Sequence, residues 1–229
     1  MAIAEQHNLN INRSSDGSEF NSNVHREMLI LITEACNMLK ADGLNYTDTD
    51  EPAISGELVR FARQYCENKD LSEWAWPYTI HDDPPENDKS RKGKSRKRVD
   101  IIIERAQRGR HPRVRFEAKR LKKPGFPASE YVGQKGLGEF VSGNYAPESN
   151  VVGMLGYVQS DDCRHWANKL LDEVQAKKQA VHLKKDSRWK KAGLKNIEHC
   201  YTTRHTRSTD RGKFLVYHLL LNFVMIGRQ

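Results

Sequence analysis

The chain has 229 residues and a mass of 26.4 kDa, a size that suits one domain with a single hydrophobic core. Its 37% hydrophobic and 30% charged residues argue against wholesale disorder. No apolar run approaches the roughly 20 residues that a membrane helix needs, and the N-terminus is polar, so we expect no membrane association and no export signal.

The formal net charge of +8 is distributed unevenly along the chain. Basic residues outnumber acidic ones by 13 in residues 89–123 and by 9 in residues 177–213, so the remaining residues carry a net negative charge. Such basic segments are typical of proteins that bind nucleic-acid phosphates. The alternative is that both segments are ordinary solvated loops.

The first third of the chain predicts a tail followed by two helices. Residues 1–22 are polar and lack an apolar period, which predicts a disordered tail before a single folded domain at 23–229. Apolar residues recur every three or four positions in 24–39 and in 54–66, as in amphipathic helices.

The middle of the chain predicts strands around a basic loop. Residues 74–80 are aromatic and β-branched, which indicates a strand interrupted at Pro77. A basic, Gly- and Ser-containing loop at 89–98 then leads to strands at 99–104 and 113–121, whose short connection predicts an antiparallel hairpin.

The last third of the chain alternates helical and strand patterns. The first helical pattern contains Gly133, Gly136 and Gly138, which weaken a helix and indicate close backbone approach. The predicted elements are a helix at 129–140, a buried strand at 151–159, a helix capped by residues 160–162 that runs to 176, and strands at 197–204 and 214–223.

The cysteines predict neither a disulfide framework nor a structural metal. Cys36, Cys66, Cys163 and Cys200 are widely scattered, which favours a reducing, cytoplasmic environment. Several histidines lie close to Cys163 and Cys200 in the sequence, but the chain has no CxxC pair, so zinc is a minor alternative.

Three ionisable residues of the predicted hairpin can converge. Asp100 starts an apolar strand, and burying its carboxylate beside residues 101–103 costs several kcal/mol unless a cation compensates. Glu117 and Lys119 share one face of the next strand because side chains alternate. Two carboxylates on neighbouring strands suit Mg²⁺ or Mn²⁺, and a lysine beside them can orient or help deprotonate water and stabilise a reacting phosphate. The alternative is a surface ion pair beside a strand cap.

The spacing of these residues resembles a known family. Asp100, followed after 16 residues by Glu117-Ala118-Lys119, resembles the PD-(D/E)xK nuclease superfamily. The resemblance covers about residues 54–159 and leaves 160–229 as a C-terminal extension. It implies a restriction-endonuclease-like α/β core, with a mixed central sheet flanked by helices.

The resemblance also implies roles for residues. Asp100, Glu117 and Lys119 would be catalytic, and Glu57 on the preceding helix would join Asp100 and Glu117 as a Mg²⁺ or Mn²⁺ ligand. The sequence departs from the family pattern in having Val99 where many members have proline. Helical glutamates near an N-terminus are also common for electrostatic reasons, which is the alternative reading of Glu57.

Six further residues are candidates for contact with nucleic acid. Three basic residues follow Lys119 directly, one precedes Asp100, and a Gln-Lys pair lies where some family members carry a glutamine, although those members have a tyrosine where this chain has Gly138. These candidates are Arg98, Arg120, Lys122, Lys123, Gln134 and Lys135.

The sequence therefore predicts a metal-dependent nuclease, with DNA favoured over RNA. Restriction, phage defence, repair and mobile-element processing all remain open roles, and a homodimer or a partner subunit could supply specificity. One alternative is a non-catalytic nucleic-acid-binding module on the same fold. A less favoured alternative is a scaffold that binds an acidic protein.

Overall fold

The structure, a computed structural model, describes residues 16–68, 73–85, 96–106, 112–194, 197–209 and 212–224. Within these residues the backbone forms helices, strands and a short 3₁₀ turn at Glu73–Ala75. The helices are α1 (Asp16–Ala41), α2 (Glu51–Glu67), α3 (Ala128–Val132), α4 (Leu137–Val141) and α5 (Cys163–Ala176). The strands are β1 (Tyr78–Asp82), β2 (Ile101–Arg105), β3 (Arg113–Leu121), β4 (Val151–Val158), β5 (Lys190–Lys191), β6 (Cys200–Thr206) and β7 (Lys213–Asn222).

All seven strands belong to one mixed sheet in the order β1-β2-β3-β4-β7-β6-β5. The central strands β3, β4 and β7 run parallel to one another. The flanking pairs, β1 with β2 and β6 with β5, are antiparallel, as are β2 with β3 and β7 with β6. The chain is therefore an α/β protein with a mixed sheet, as the sequence predicts.

Two hydrophobic cores lie on opposite faces of this sheet. Helices α1 and α2 cover one face, where apolar side chains such as Leu58 pack against Ile101, Phe116 and Leu155. Helices α3, α4 and α5 cover the other face. Burial of apolar surface in these two layers is the main stabilising contribution to the fold. Each helix within the described residues is too short or too polar to cross a membrane.

Several predicted elements are confirmed. The antiparallel β2–β3 hairpin, strand β4 and helix α5 all form close to their predicted bounds. Helix α5 starts where expected because the side chain of Asp162 accepts a hydrogen bond from the backbone N–H of His165. The turn of the hairpin, at 107–111, and most of the basic loop, at 86–95, lie outside the described residues.

Other elements differ from their predictions. Helix α1 begins at Asp16, eight residues before the predicted start at 24, because an established helix is extended easily where no proline interrupts it. Residues 1–15 of the predicted tail lie outside the described residues. The predicted strand at 74–80 is instead a 3₁₀ turn followed by β1, since Pro77 has no N–H to donate to a sheet. The two-residue strand β5 was not predicted.

The predicted helix at 129–140 is interrupted and forms α3 and α4. The break follows from the glycines, which bring backbone segments together. A Cβ atom on Gly136 would lie 2.2 Å from the carbonyl oxygen of Tyr131, and one on Gly133 would lie 2.7 Å from that of Ser129. The close approach expected from the sequence is therefore found, but it ends the helix.

Candidate active site

The candidate site lies beside the last residues of β3, which extend past the first residue of its antiparallel neighbour β2. The last residues that pair across these two strands are Ile101 and Phe116, whereas β3 remains paired with β4 on its other side as far as Leu121. Backbone N–H groups of β3 that would face a longer β2 therefore need other acceptors. Residues 117–121 therefore have no strand partner on the β2 side.

Two carboxylates supply those acceptors. The Oδ2 atom of Asp100 accepts a hydrogen bond of 2.6 Å from the N–H of Ala118, and the Oε2 atom of Glu51 accepts one of 3.2 Å from the N–H of Arg120. Asp100 immediately precedes β2, and Glu51 is the first residue of α2. The residue before β2 and the first residue of α2 thus place their carboxylates along the edge of β3 that has no strand partner.

Lys119 joins these groups into one cluster. Its Nζ atom lies 2.9 Å from Oε1 of Glu51 and 2.9 Å from Oε1 of Glu117, and it also donates to the carbonyl oxygen of Ala118. Glu117 and Lys119 lie on the same face of β3, as their spacing predicts. Only 5% of the surface of Glu117 is exposed, so this ion pair is shielded from solvent.

Burial raises the pKa values of all three carboxyl groups in the cluster. Burial, with the nearby charge of Asp100, raises the pKa of Glu117 to about 9, although Lys119 acts in the opposite direction. Burial also raises the pKa of Asp100 and the pKa of Glu51 above their usual values, against the stabilising effects of backbone N–H groups and of Lys119. Crowded, buried carboxylates of this kind are typical of functional sites.

Lys119 is an ammonium ion in this environment. Burial alone would lower its pKa, but the carboxylates of Glu117 and Glu51 outweigh burial and raise the pKa of Lys119 above its usual value. A protonated lysine cannot accept a proton from water. Of the roles that the sequence suggests for Lys119, the geometry therefore favours orienting water and stabilising a phosphate over deprotonation.

The chemistry of the cluster suits a divalent cation. When ionised, the three carboxylates and one ammonium have a formal charge of −2, and carboxylate oxygens are the ligands that Mg²⁺ and Mn²⁺ prefer. No group of three or more His, Cys, Asp or Glu residues in the described part of the chain is already arranged as a metal site. The ammonium of Lys119 lies between Glu51 and Glu117, so metal binding would require these side chains to rearrange around the ion.

The helix residue of this cluster is Glu51, and the predicted residue Glu57 lies elsewhere. The Oε2 atom of Glu57 accepts hydrogen bonds of 2.9 and 2.6 Å from the guanidinium group of Arg60, on a solvent-accessible part of α2. Six residues of a helix correspond to about 600°, so positions 51 and 57 point in directions about 120° apart. In the structure Glu57 therefore lies outside the cluster that contains Glu51.

A signal for Glu51 is present in the sequence. Asp50, Glu51 and Pro52 form a typical helix start, with an N-cap acceptor followed by an acidic residue and a proline in the first turn. The structure confirms this start, because the Asp50 side chain accepts a hydrogen bond from the N–H of Ala53. A helix predicted to start at its first apolar residue, Ile54, does not include Glu51.

Two of the predicted nucleic-acid contacts are partly engaged within the protein. The Nε atom of Arg120 donates to Oε1 of Gln159 at 2.6 Å, and its guanidinium group lies 4.0 Å from the centre of the Phe126 ring. Lys122 forms an ion pair with Asp48. Both residues lie near the acidic cluster, but a substrate phosphate would have to compete with these partners.

The other predicted contacts are more accessible. Arg98 is paired with Asp83 at 2.6 Å on the surface, and the Lys123 side chain is 52% exposed. Gln134 and Lys135 are exposed in the turn between α3 and α4. The structure therefore does not bring all six candidates to one surface patch of free side chains.

One residue that stabilises the site was not predicted. Gln159 follows β4 and is buried, and its amide Nε2 donates to the carbonyl oxygens of Tyr46 and Thr49 at 2.5 and 2.8 Å. It thereby fixes the segment that leads into α2 and Glu51. A single glutamine at a strand end has no sequence signal that distinguishes it from a surface residue.

Comparisons of the chain with protein-family models, with curated proteins and with solved structures gave no match.

Proposed function

We propose that the protein is a metal-dependent nuclease that hydrolyses phosphodiester bonds at the cluster of Glu51, Asp100, Glu117 and Lys119. The observation that carries the proposal is the convergence of three carboxylates and one lysine along the edge of β3 that has no strand partner. Burying three carboxylates around one ammonium group costs stability, and such groups are typical of functional sites.

Each residue has a role in this proposal. Glu51, Asp100 and Glu117 hold Mg²⁺ or Mn²⁺, which would polarise a phosphate oxygen and lower the pKa of a bound water molecule. Lys119 orients the attacking water and stabilises the negative charge that develops on the phosphate. The backbone bond from Ala118 fixes the orientation of the Asp100 carboxylate.

The arrangement of elements supports the same proposal. From α2 to β4 the chain forms a helix, an antiparallel β1-β2-β3 meander, short helices and a strand parallel to β3. We propose that this segment is a restriction-endonuclease-like core, whose pattern places an acidic residue at the second strand and ExK in the third. With Glu51, a helix carboxylate takes the place that the resemblance assigned to Glu57.

The substrate in this proposal is a nucleic acid, with DNA favoured over RNA. The chain has a sequence pI of about 9.3, and one of its two strongly basic segments, residues 89–123, contains Asp100, Glu117 and Lys119. Lys123 and Arg98 are the exposed cations near the ends of β3 and β2 that are best placed to hold flanking phosphates. Salt should therefore weaken binding steeply.

The decisive experiment is a cleavage assay on linear duplex, circular and single-stranded DNA and on RNA, with Mg²⁺, Mn²⁺ or EDTA. The test variants are Asp100→Asn and Glu117→Gln, which preserve side-chain size while removing charge. We expect wild-type cleavage to require the metal and each variant to lose at least about 100-fold in rate. Thermal unfolding of the same samples shows whether the variants are folded.

Two results would contradict the proposal. The first is cleavage that persists in EDTA, and the second is wild-type activity in folded Asp100→Asn. If the wild-type protein binds DNA in a salt-dependent manner but cuts no substrate with either metal, the non-catalytic binding module becomes the better description.

A further inference from the structure

A pocket of about 380 Å³ lies between the segment that follows β3 and one face of α5. The segment contributes Lys123, Pro127 and Ala128, and the helix contributes Trp166, Lys169 and Asp172 among the lining residues. This volume lies within the range of pockets that bind small ligands, about 300–1,000 Å³.

The pocket is cationic at one end. Lys123 approaches the start of α5, where its Nζ atom donates to Nε2 of His165 at 2.7 Å and lies 5.9 Å from the centre of the Trp166 ring. Lys169 is exposed one turn further along the helix. Lys123 also pairs with Asp161 at 3.5 Å, so a phosphate held by the two ammonium groups would take the place of that carboxylate.

The other end of the pocket carries carboxylates. Lys177, which follows α5, donates to the carbonyl oxygen of Ser129 and pairs with Glu173. The C-terminal end of α5 therefore contacts the start of α3 at this end of the pocket. The exposed carboxylate of Asp172 lies beside that contact. His165, which Lys123 contacts, and Asp172 are seven residues apart, about 10 Å along a helix, so Lys123 and Asp172 are separated by roughly the length of a nucleotide.

We propose that this pocket binds one unpaired nucleotide of the nucleic-acid substrate. Its phosphate contacts Lys123 and Lys169, its base packs against Pro127 and Ala128, and the hydrogen-bond donors of the base face Asp172. Guanine fits this polarity best, because its N1–H and amino groups lie side by side and match the two oxygens of a carboxylate. The pocket admits one base, so a paired base would first have to leave its helix.

The inference rests on the proposed function for its biological setting and deepens it. Lys122, at the edge of the pocket, is three residues beyond Lys119, which corresponds to about 10 Å along a strand. A nucleotide in the pocket would therefore lie next to the phosphate at the acidic cluster. The substrate class that follows is nucleic acid with an unpaired nucleotide beside the scissile bond.

Binding can be measured without any cleavage. In EDTA, calorimetric titration should show that GMP binds at least tenfold more tightly than guanosine or inorganic phosphate. We expect Lys169→Gln to weaken GMP binding about tenfold, whereas Lys190→Gln, on the distant strand β5, leaves it unchanged. Asp172→Asn should remove most of the preference for GMP over IMP, which lacks the amino group at position 2.

The results separate this inference from the nuclease proposal. If inorganic phosphate binds as tightly as GMP, or if Lys169→Gln binds GMP as the wild type does, the inference is overturned. GMP binding in the absence of any metal-dependent cleavage would support the pocket and overturn the nuclease proposal alone.

Cleavage provides the second test. DNA with a single guanosine bulge should be cut at least tenfold faster than the matched duplex, and Lys169→Gln should reduce that ratio toward one. Equal cleavage of the two DNAs by the wild-type protein would overturn the inference even if the nuclease proposal is correct.

Discussion

The Asp100 carboxylate accepts a 2.6 Å hydrogen bond from the backbone N–H of Ala118, at the point where β3 extends past the first residue of β2. This carboxylate takes the place of a main-chain acceptor, so it supports the strand edge as well as carrying charge. The contribution of the hydrogen bond can be separated from that of the charge, because asparagine retains the acceptor oxygen and alanine removes it. Asp100→Asn therefore tests the charge with the strand edge intact.

The first prediction compares two glutamates of α2. Glu51→Gln should reduce cleavage at least about 100-fold because it removes a carboxylate that contacts Lys119. Glu57→Gln should change the rate by no more than about twofold, since Glu57 pairs with Arg60 on the exposed surface. Initial rates of both variants against the wild type check this. The reverse ranking would show that Glu57 is the ligand.

The second prediction concerns the stability of the metal-free protein. Glu117 has a pKa of 4.5 when unperturbed and about 9 in the folded protein, so the folded state retains a proton that the unfolded state loses. Its contribution to the free energy of unfolding therefore decreases as the pH rises from 4.5 to about 9.

Glu117→Gln removes this dependence. At pH 8 in EDTA the variant should be more stable than the wild type by about 1–3 kcal/mol, and its melting temperature should be higher by about 2–4 °C for each kcal/mol. Thermal unfolding at pH 5 and pH 8 checks this. A variant that is less stable than the wild type at pH 8 would contradict it.

The third prediction concerns a buried hydroxyl group. Thr203 Oγ1 lies 2.7 Å from Nε2 of His205 and 2.7 Å from Nε2 of His218, and all three residues are buried. Thr203→Val keeps the shape but leaves ring nitrogens without a partner, which should cost about 1–3 kcal/mol. Thr203→Ser keeps the hydroxyl and should be less destabilising. Urea unfolding of the three proteins gives these differences, and equal stability of the valine and serine variants would argue against the bonded hydroxyl.

The fourth prediction assigns the protons in this network. His205 Nδ1 must donate to the carbonyl oxygen of Val181, so its Nε2 accepts from Thr203, and Nε2 of His218 then donates to Thr203. Nδ1 of His218 is left to accept from the Tyr131 hydroxyl, which shares its single proton between this nitrogen at 3.1 Å and the carbonyl oxygen of Met154 at 3.2 Å. Nitrogen-15 chemical shifts should show one ring protonated at Nδ1 and the other at Nε2.

Both of these rings should remain neutral in mild acid. Burial lowers the pKa of His205 to about 4 and the pKa of His218 well below its usual value. Their contribution to stability is complete above pH 6.5 and is lost as the pH falls toward about 4, because the unfolded state takes up protons first. Protonation of either ring at pH 6 in the folded protein would contradict this assignment.

The fifth prediction uses two glycines with opposite surroundings. A Cβ atom on Gly136 would lie 2.2 Å from the backbone oxygen of Tyr131, whereas one on Gly56, inside α2, would have no heavy atom within 4 Å. Gly136→Ala should destabilise the protein by about 1–3 kcal/mol, and Gly56→Ala should stabilise it by about 0.5–1 kcal/mol. Thermal unfolding checks both signs. Two changes in the same direction would contradict this reading of the glycines.

Strong local signals account for the part of the fold that the sequence predicts. The apolar run of β4, the alternation of β3 and the Asp162 cap of α5 each depend on neighbouring residues alone. The break between α3 and α4 depends on contacts among main-chain atoms, which composition indicates only through Gly133 and Gly136. The order of the strands, with β7 between β4 and β6, arises from long-range pairing that no local pattern specifies.

The candidate site is predictable to a similar extent. Asp100, Glu117 and Lys119 follow from a strand pattern, and the structure brings them together. Glu51 reaches them from a helix that is distant in sequence, so its identity depends on how α2 packs against β3. The bounds of a helix are not fixed by its apolar pattern alone, and here Glu51 lies three residues before the predicted start of α2.

The position of Lys119 between Glu51 and Glu117 means that the cluster has its own counter-ion. The chain can therefore complete its fold before any metal ion arrives, unlike small domains whose folding depends on metal. In the proposed enzyme, a metal cation would then replace the ammonium group of Lys119 beside the carboxylates of an already folded protein. The metal would act as a switch for activity, with little influence on whether the protein is folded.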